Sequence, residues 1–267
     1  MTAPAVEFIA ASCAFPPRKP GDPEYVAVRD VSLTIAEGEF MAVVGPTGCG
    51  KSTLLNAVAG IRPPSSGEVR VRGQKVTDIQ SACGYLFQSD TLLPWLTARE
   101  NVRLGLTYRG VSRKEADPQV DDWLHRVGLD GAGDRYPYQL SGGMKKRVSL
   151  AQTLLLDPQI ILMDEPFSAL DVQTRHMMEN QLLDIWAANR KTVLFVTHDL
   201  EEAISLADRV VVLSAGPGSH PVRTFDINIP RPRDVTEIVH TPDYIGLHAQ
   251  IWATLKEQVL MNYQRAN

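Results

Sequence analysis

Residues 45–52 read GPTGCGKS, a glycine-rich run ending in lysine and serine whose spacing suits a loop that holds phosphate. Gly45, Gly48 and Gly50 admit backbone conformations that turn successive N–H groups inward at an anion, and Pro46, Thr47 and Cys49 complete the loop. Cys49 serves there as a small residue, not as a redox group. A helix starting near Lys51 aims its positive end at the same anion. Lys51 is expected to reach the β- and γ-phosphates of a nucleotide such as ATP. The Ser52 hydroxyl, with Thr53 next to it, is expected to ligate Mg²⁺.

A second pair, Asp164 and Glu165, stands in IILMDEP at 160–166. At the C-terminal end of a buried strand, where open α/β sheets bind ligands, Asp164 would serve hydrated Mg²⁺ and Glu165 would polarise an attacking water. Two adjacent acids equally suit a solvated turn or a helix N-cap. The upstream phosphate loop favours the first reading, because a nucleotide site needs a metal ligand and a base at such a place.

Groups of this kind need rigid supports. Compact apolar runs at 40–44, 160–163, 193–196 and 210–213 read as strands buried on both faces, as in a parallel sheet. Helix-like stretches at 52–59, 147–156, 172–188 and 200–206 alternate with them, which implies a layered α/β core. Shorter, more alternating segments at 6–10, 31–35 and 68–72 suggest an antiparallel layer. From about 89 to 156 a helical pattern replaces the strand signals, so this stretch reads as an insertion. IPRPRD after Asn228 suits an extended connector, and a last helix is expected over 242–261.

The bulk properties narrow the class. The chain has 267 residues, a formal charge of −4 and three cysteines in no metal-ligand spacing, which fits a reducing, cytosolic location. The acidic balance argues against generic nucleic-acid binding. The N-terminus lacks the pattern of a secretory signal, and no apolar run approaches the roughly 20 residues a membrane helix requires.

With LSGGM at 140–144 the sequence resembles the ABC ATPase family. The match runs in order through GPTGCGKST, LFQ ending at Gln88, LSGGM, IILMDEP, SALD at 168–171 and FVTHD with His198. The resemblance implies an α/β P-loop NTPase (ABC ATPase) core with an antiparallel β layer, a helical insertion and a short helical C-terminal tail. The core with its β subdomain would occupy 1–88 and 157–229, the helical signature subdomain 89–156 and the C-terminal extension 230–267.

In that family two subunits sandwich two ATP molecules, so Ser141, Gly142 and Gly143 would face the phosphate loop of the other subunit. Gln88 would touch the metal or the water, His198 the γ-phosphate, and Asp171 would act across the dimer. Phe15 would stack on adenine, with Tyr25 the alternative, since SCAFPPRKPGDPEY is longer than the family's usual turn. Lys145, Lys146 and Arg147 crowd the first turn of the signature helix, where the dipole disfavours cations. They suit a nearby anion or a solvated basic face equally. Two positions depart from the family pattern, Met144 for the usual glutamine and Gln152 for a frequent arginine.

Within the family the closest resemblance is to ATPase subunits of nitrate, sulfonate and taurine importers, through LFQSDTLLPWLTARENV, DEPFSALD and LSAGPG. It implies a peripheral protein at the cytoplasmic face of the inner membrane. The implied partners are a second such subunit, an integral-membrane permease and, indirectly, a solute-binding protein, with no nucleic acid. Leu92, Leu93, Pro94 and Trp95 read either as part of a groove for a permease helix or as packing of the insertion's own core. The competing readings are a non-transport ABC ATPase, a nucleotide-gated regulator and a P-loop kinase.

Overall fold

Each central strand buries one residue in one core and the next in another, which is why these strands read as unbroken apolar runs. In β3 (Phe40–Val44), Phe40, Ala42 and Val44 join one apolar cluster while Met41 and Val43 join a second on the opposite face. The same alternation holds in β7 (Ile160–Asp164), β8 (Thr192–Val196) and β9 (Arg209–Leu213). With β6 (Cys83–Leu86) and β10 (Pro221–Asp226) they form a six-stranded sheet in the order β10-β9-β3-β8-β7-β6. It is parallel except for β10, which pairs antiparallel with β9. The computed structural model describes residues 3–17, 19, 21 and 23–266, without the side chains of 265 and 266.

On one face, α1 (Lys51–Ala59) packs between this sheet and a second sheet of order β2-β1-β4-β5. That sheet is antiparallel and comprises β1 (Val6–Phe15), β2 (Tyr25–Ile35), β4 (Ser66–Val71) and β5 (Gln74–Lys75). The other face carries α2 (Ala98–Tyr108), α3 (Arg113–Arg126), a short 3-10 turn at Pro137–Gln139, α4 (Gly142–Leu154), α5 (Val172–Asn189) and α6 (Leu200–Leu206). The tail adds α7 (Val235–Ile238) and α8 (Pro242–Ala266).

Several boundaries differ from the sequence reading. Helix α4 begins at Gly142 rather than 147 because Ser141 caps it, accepting from the Met144 amide at 3.3 Å. It ends at Leu154, and α8 runs on past 261. Strand β1 continues through a bulge at Ala10, whose φ is 44°, to Phe15. Strands β6 and β10 had not been expected: both are sheet edges, and an edge strand needs no apolar run. Of the long turn expected between Phe15 and Tyr25, Arg18, Pro20 and Asp22 lie outside the described residues.

The tail is bound into the core. Tyr244, Ile251 and Leu255 of α8 are buried, whereas Ile245 and Trp252 on the same helix are exposed. Arg233 is 7% exposed and donates to five backbone carbonyls, those of Ile204, Ser205, Ala207, Ile227 and Ile229. Three of these belong to the C-terminal end of α6, where a cation meets both the orphan acceptors and the negative end of the dipole.

Behind the sheet, Glu179 of α5 and Glu202 of α6 are buried near Asp199 and Arg175. Burial, then the charges of Glu202 and Asp199, push the Glu179 carboxyl up from 4.5 to about 8. Burial raises Glu202 to about 7, against the opposing hydrogen bond from Thr197 Oγ1 at 2.6 Å. Between the unfolded value of 4.5 and the folded value of about 8, the folded chain holds a proton at Glu179 that the unfolded chain has released. This contribution to stability is therefore full at acidic pH and is lost as pH rises through that window. Glu179→Gln is expected to be more stable than the parent at about pH 9, with the difference shrinking toward zero at about pH 5, as read from urea unfolding midpoints.

Candidate active site

Strand β3 ends at Val44 and the chain enters the glycine-rich loop, which reaches α1 through Gly50. Gly50 has φ 92°, and a Cβ there would lie 2.6 Å from Val28 Cγ1, so glycine is required both by conformation and by space. Lys51 is 6% exposed, and its Nζ donates to the carbonyls of Gly45 at 2.9 Å and Pro46 at 3.3 Å, which draws the cation across the loop. The Cys49 thiol is buried behind the loop and burial raises its pKa, so this residue offers the site its backbone and not its sulfur.

Strand β7 delivers the carboxylates. Asp164 Oδ1 accepts from Ser52 Oγ at 2.9 Å, and Oδ2 lies 3.4 Å from the Tyr85 hydroxyl. Burial raises the Asp164 pKa, the Ser52 hydrogen bond opposes it, and the neighbouring Glu165 charge raises it further. Glu165 has φ 42°, and its amide donates to the Val196 carbonyl at 2.8 Å. A left-handed conformation costs a residue with a Cβ roughly 1–2 kcal/mol, and such strain collects where a site fixes its geometry. Glu165 Oε2 receives two partners from different strand ends, Gln88 Nε2 at 3.1 Å and His198 Nδ1 at 2.9 Å.

Lys51, Ser52, Gln88, Glu165 and His198 share one cleft of about 500 Å³, lined also by Phe15, Tyr25, Ala27, Thr47, Gly48, Gly50 and Thr53, and Asp164 adjoins it through Ser52. Both candidate aromatics stand at it. Phe15 has the Arg62 guanidinium 4.2 Å from its ring centroid, and the Tyr25 hydroxyl lies 3.4 Å from the Gly48 carbonyl.

Ser141, Gly142, Gly143 and Asp171 do not line this cleft. Ser141 caps α4, while Asp171 caps α5 through the Thr174 amide at 3.0 Å and hydroxyl at 2.7 Å. The two caps adjoin, for a Cβ on Gly143 would meet Thr174 Cγ2 at 2.6 Å. Within the basic run 145–147, Lys146 and Arg147 match neither alternative read from the sequence. Lys146 is 4% exposed and held by the carbonyls of Phe87 and Gln88, and Arg147 donates to the Val127 carbonyl at 3.3 Å, so both cations are spent on internal oxygens.

Sequence reasoning missed Tyr85 and the support behind His198. Tyr85 stands three residues before Gln88 on β6, paired with Leu162, so a strand assigned to CGYL would have brought it to Asp164. Arg175 donates to Asp199 Oδ2 at 2.9 Å and to the Leu170 carbonyl at 3.3 Å, joining the turn before α5 to the residue after His198. No local pattern announces that link.

For Mg²⁺ the donor chemistry fits. Ser52 and Asp164 place hard oxygens side by side, with Gln88 in the same cleft. Among the described residues no group of three His, Cys, Asp or Glu could cage a metal. A Mg²⁺ ion here would be shared between one or two protein oxygens, substrate phosphates and water.

The sequence profile of the ABC transporter family matches residues 28–168. The chain is 45% identical over 234 residues to the uncharacterized ABC transporter ATP-binding protein MJ0412 of Methanocaldococcus jannaschii, covering 88% of this chain and 86% of that one. It is 41% identical to the nitrate import ATP-binding protein NrtC of Synechococcus elongatus, over 90% of this chain but 37% of that protein. The bicarbonate transport ATP-binding protein CmpC of the same organism is 42% identical, over 89% of this chain and 36% of its own. Among solved structures, the ATP-binding cassette MJ0796, a dimer bound to ADP and Pi, superposes with a TM-score of 0.74 at 32% identity, covering 84% of this chain and all of that one. With a phosphate loop, an acid pair and a histidine converging on one cleft of a cassette fold, the chain belongs to the ABC transporter family, as an ATP-binding and ATP-hydrolysing subunit.

Proposed function

We propose that this subunit powers import of a small solute such as nitrate, sulfonate or taurine through a separate permease, working as a pair with a second copy or a similar ATPase subunit at the cytoplasmic face of the membrane. The observation that carries the site assignment is the convergence on Glu165 Oε2 of Gln88 and His198, in the cleft that also holds Lys51 and Ser52.

In this reading the loop amides and Lys51 hold the β- and γ-phosphates, and Phe15, backed by Arg62, stacks on adenine with Tyr25 as the alternative. Ser52, Asp164 and Gln88 would hold Mg²⁺, which when bound would neutralise charge on the phosphates. Glu165 accepts a proton from the attacking water and orients it, and His198 and Gln88 hold that carboxylate in place. Ser141, Gly142, Gly143 and Asp171 lie outside the cleft of their own chain, as a role across a dimer requires. Hydrolysis then removes the γ-phosphate that both subunits share, and the pair can reopen.

No helix among the described residues is long and apolar enough to cross a membrane. One further observation supports an external membrane partner. The segment after Gln88 is rigidly presented: buried Asn101 binds the Leu93 amide at 2.8 Å and the Leu96 carbonyl at 3.0 Å, while Trp95 is 68% exposed. Leu92 packs on the core, so the surface offered to a permease helix centres on Trp95. The solute is not encoded here. Relatives named for nitrate and for bicarbonate match at 41% and 42% identity, which is expected if selection lies in the permease and a solute-binding protein.

Glu165→Gln is expected to keep ATP binding and lose about 100-fold or more in turnover, the usual scale for a general base. Turnover near the parent's in a steady-state phosphate-release assay would remove Glu165 from that role. Lys51→Ala is expected to weaken nucleotide binding at least about tenfold, and an affinity within twofold of the parent would contradict the phosphate-loop assignment. Reconstituted with its permease in lipid, the subunit is expected to show Glu165-dependent turnover above that of the subunit alone. Turnover indifferent to the permease would leave an ATPase with no transport role.

A further inference from the structure

Two lysines are buried among the described residues, and only one of them belongs to the phosphate loop. The other, Lys146, sits in α4 with its Nζ donating to the carbonyls of Phe87, at 3.2 Å, and Gln88, and with Asp90 Oδ1 at 3.7 Å. Burial lowers its pKa and the Asp90 charge partly restores it. A desolvated ammonium needs its donors met by oxygens. Here the oxygens come from the run 87–90, just past Leu86, where the β6–β7 ladder ends.

That run has no sheet beyond it to hold it. Strand β6 is an edge strand, and the Phe87 ring, 39% exposed, is stacked on Tyr85 at 4.1 Å. Yet the Gln88 side chain must reach Glu165 Oε2, and does so at 3.1 Å. What fixes the Gln88 backbone therefore governs that contact. Lys146 grips this backbone from a helix whose N-cap is Ser141, so one side chain ties the glutamine run to the signature segment.

We propose that Lys146 is a positioning residue for ATP hydrolysis: it clamps the Gln88 backbone to α4 and so holds the Gln88 side chain against Glu165. The proposal rests on the roles given above to Gln88 and Glu165. It predicts an effect on turnover that passes through Gln88, whereas a residue that only stabilises the fold would act regardless of what stands at 88.

The test is a double-mutant cycle on the full chain, reading turnover, equilibrium binding of a fluorescent ATP analogue and the thermal midpoint. Lys146→Met, which keeps the stem and removes the donors, is expected to lower turnover about tenfold with nucleotide affinity within about twofold of the parent. In a Gln88→Ala background the same substitution is expected to lower turnover less than about twofold further. Equal losses in both backgrounds, or no loss in the parent, overturn the clamp. Lys146→Gln, which keeps a donor without the charge, goes through the same cycle and decides the matter if the Met variant does not melt cooperatively. Turnover that survives Glu165→Gln would bring down the functional reading and this proposal with it. Glu165-dependent turnover with additive losses would sink the clamp alone.

Discussion

Burial of both faces of the six-stranded sheet fixes where its strands end, and the site follows from that. A strand sandwiched between two cores cannot slip by one residue without exchanging every side chain between them, so its register is held tightly. Val43 of β3 and Asp164 of β7 both pair with Val196 of β8, and Leu86 of β6 pairs with Met163 of β7. Gly45, Glu165, His198 and Gln88 each follow within two residues of those positions. Four adjacent strands thus stop on nearly one line and release their loops into one cleft. The phosphate loop adds α1, whose first residues turn the same edge electropositive.

Within that cleft the organising group is Glu165. Its left-handed backbone and the hydrogen bond its N–H donates to the Val196 carbonyl set the direction of the side chain before any partner is counted. Two donors from neighbouring loops then share one carboxylate oxygen. An ionised carboxylate only accepts, so the contact from His198 requires the proton on Nδ1. The turn that carries the ring is anchored in its own right: Asp199, the next residue, caps α6 and accepts from Arg175, which also binds the Leu170 carbonyl. The histidine turn and the turn leading to Asp171 are therefore parts of one hydrogen-bonded unit, although they stand far apart in sequence.

What was legible in the sequence follows the same division. The four strands buried on both faces showed as continuous apolar runs, and the groups they carry lay beside them in the chain, so the loop and the acid pair could be read from the residues, and the histidine from the family resemblance. Strand β6 was invisible because an edge strand made of Cys83, Gly84, Tyr85 and Leu86 has no apolar run to show, and Tyr85 was missed with it. The periodic pattern of α4 became readable only at 147, because its first turn carries two glycines, poor helix formers whose helix depends on the Ser141 cap, and the earlier start came only with the signature segment. Arg175 and Glu202 take their meaning from partners on other elements, which spacing does not record.

The buried cations are the sharpest case of that limit. Lys146 sits in a basic run that suited a nearby anion or a solvated face equally, and Arg233 in a proline-rich run that read as a connector, yet each is nearly fully enclosed. Neither is matched by a close carboxylate within its own enclosure. Lys146 has Asp90 only at 3.7 Å, and Arg233 relies on five carbonyls. Taking a charge out of water costs several kcal/mol before compensation, and here main-chain oxygens at a strand exit and a helix end supply it. Such oxygens exist only once the elements have ended and packed, so the cation is specified by the fold as much as it holds the fold. Each therefore ties segments whose relative position matters: Arg233 joins the tail to the helix that follows His198, and Lys146 joins the glutamine run to the signature helix.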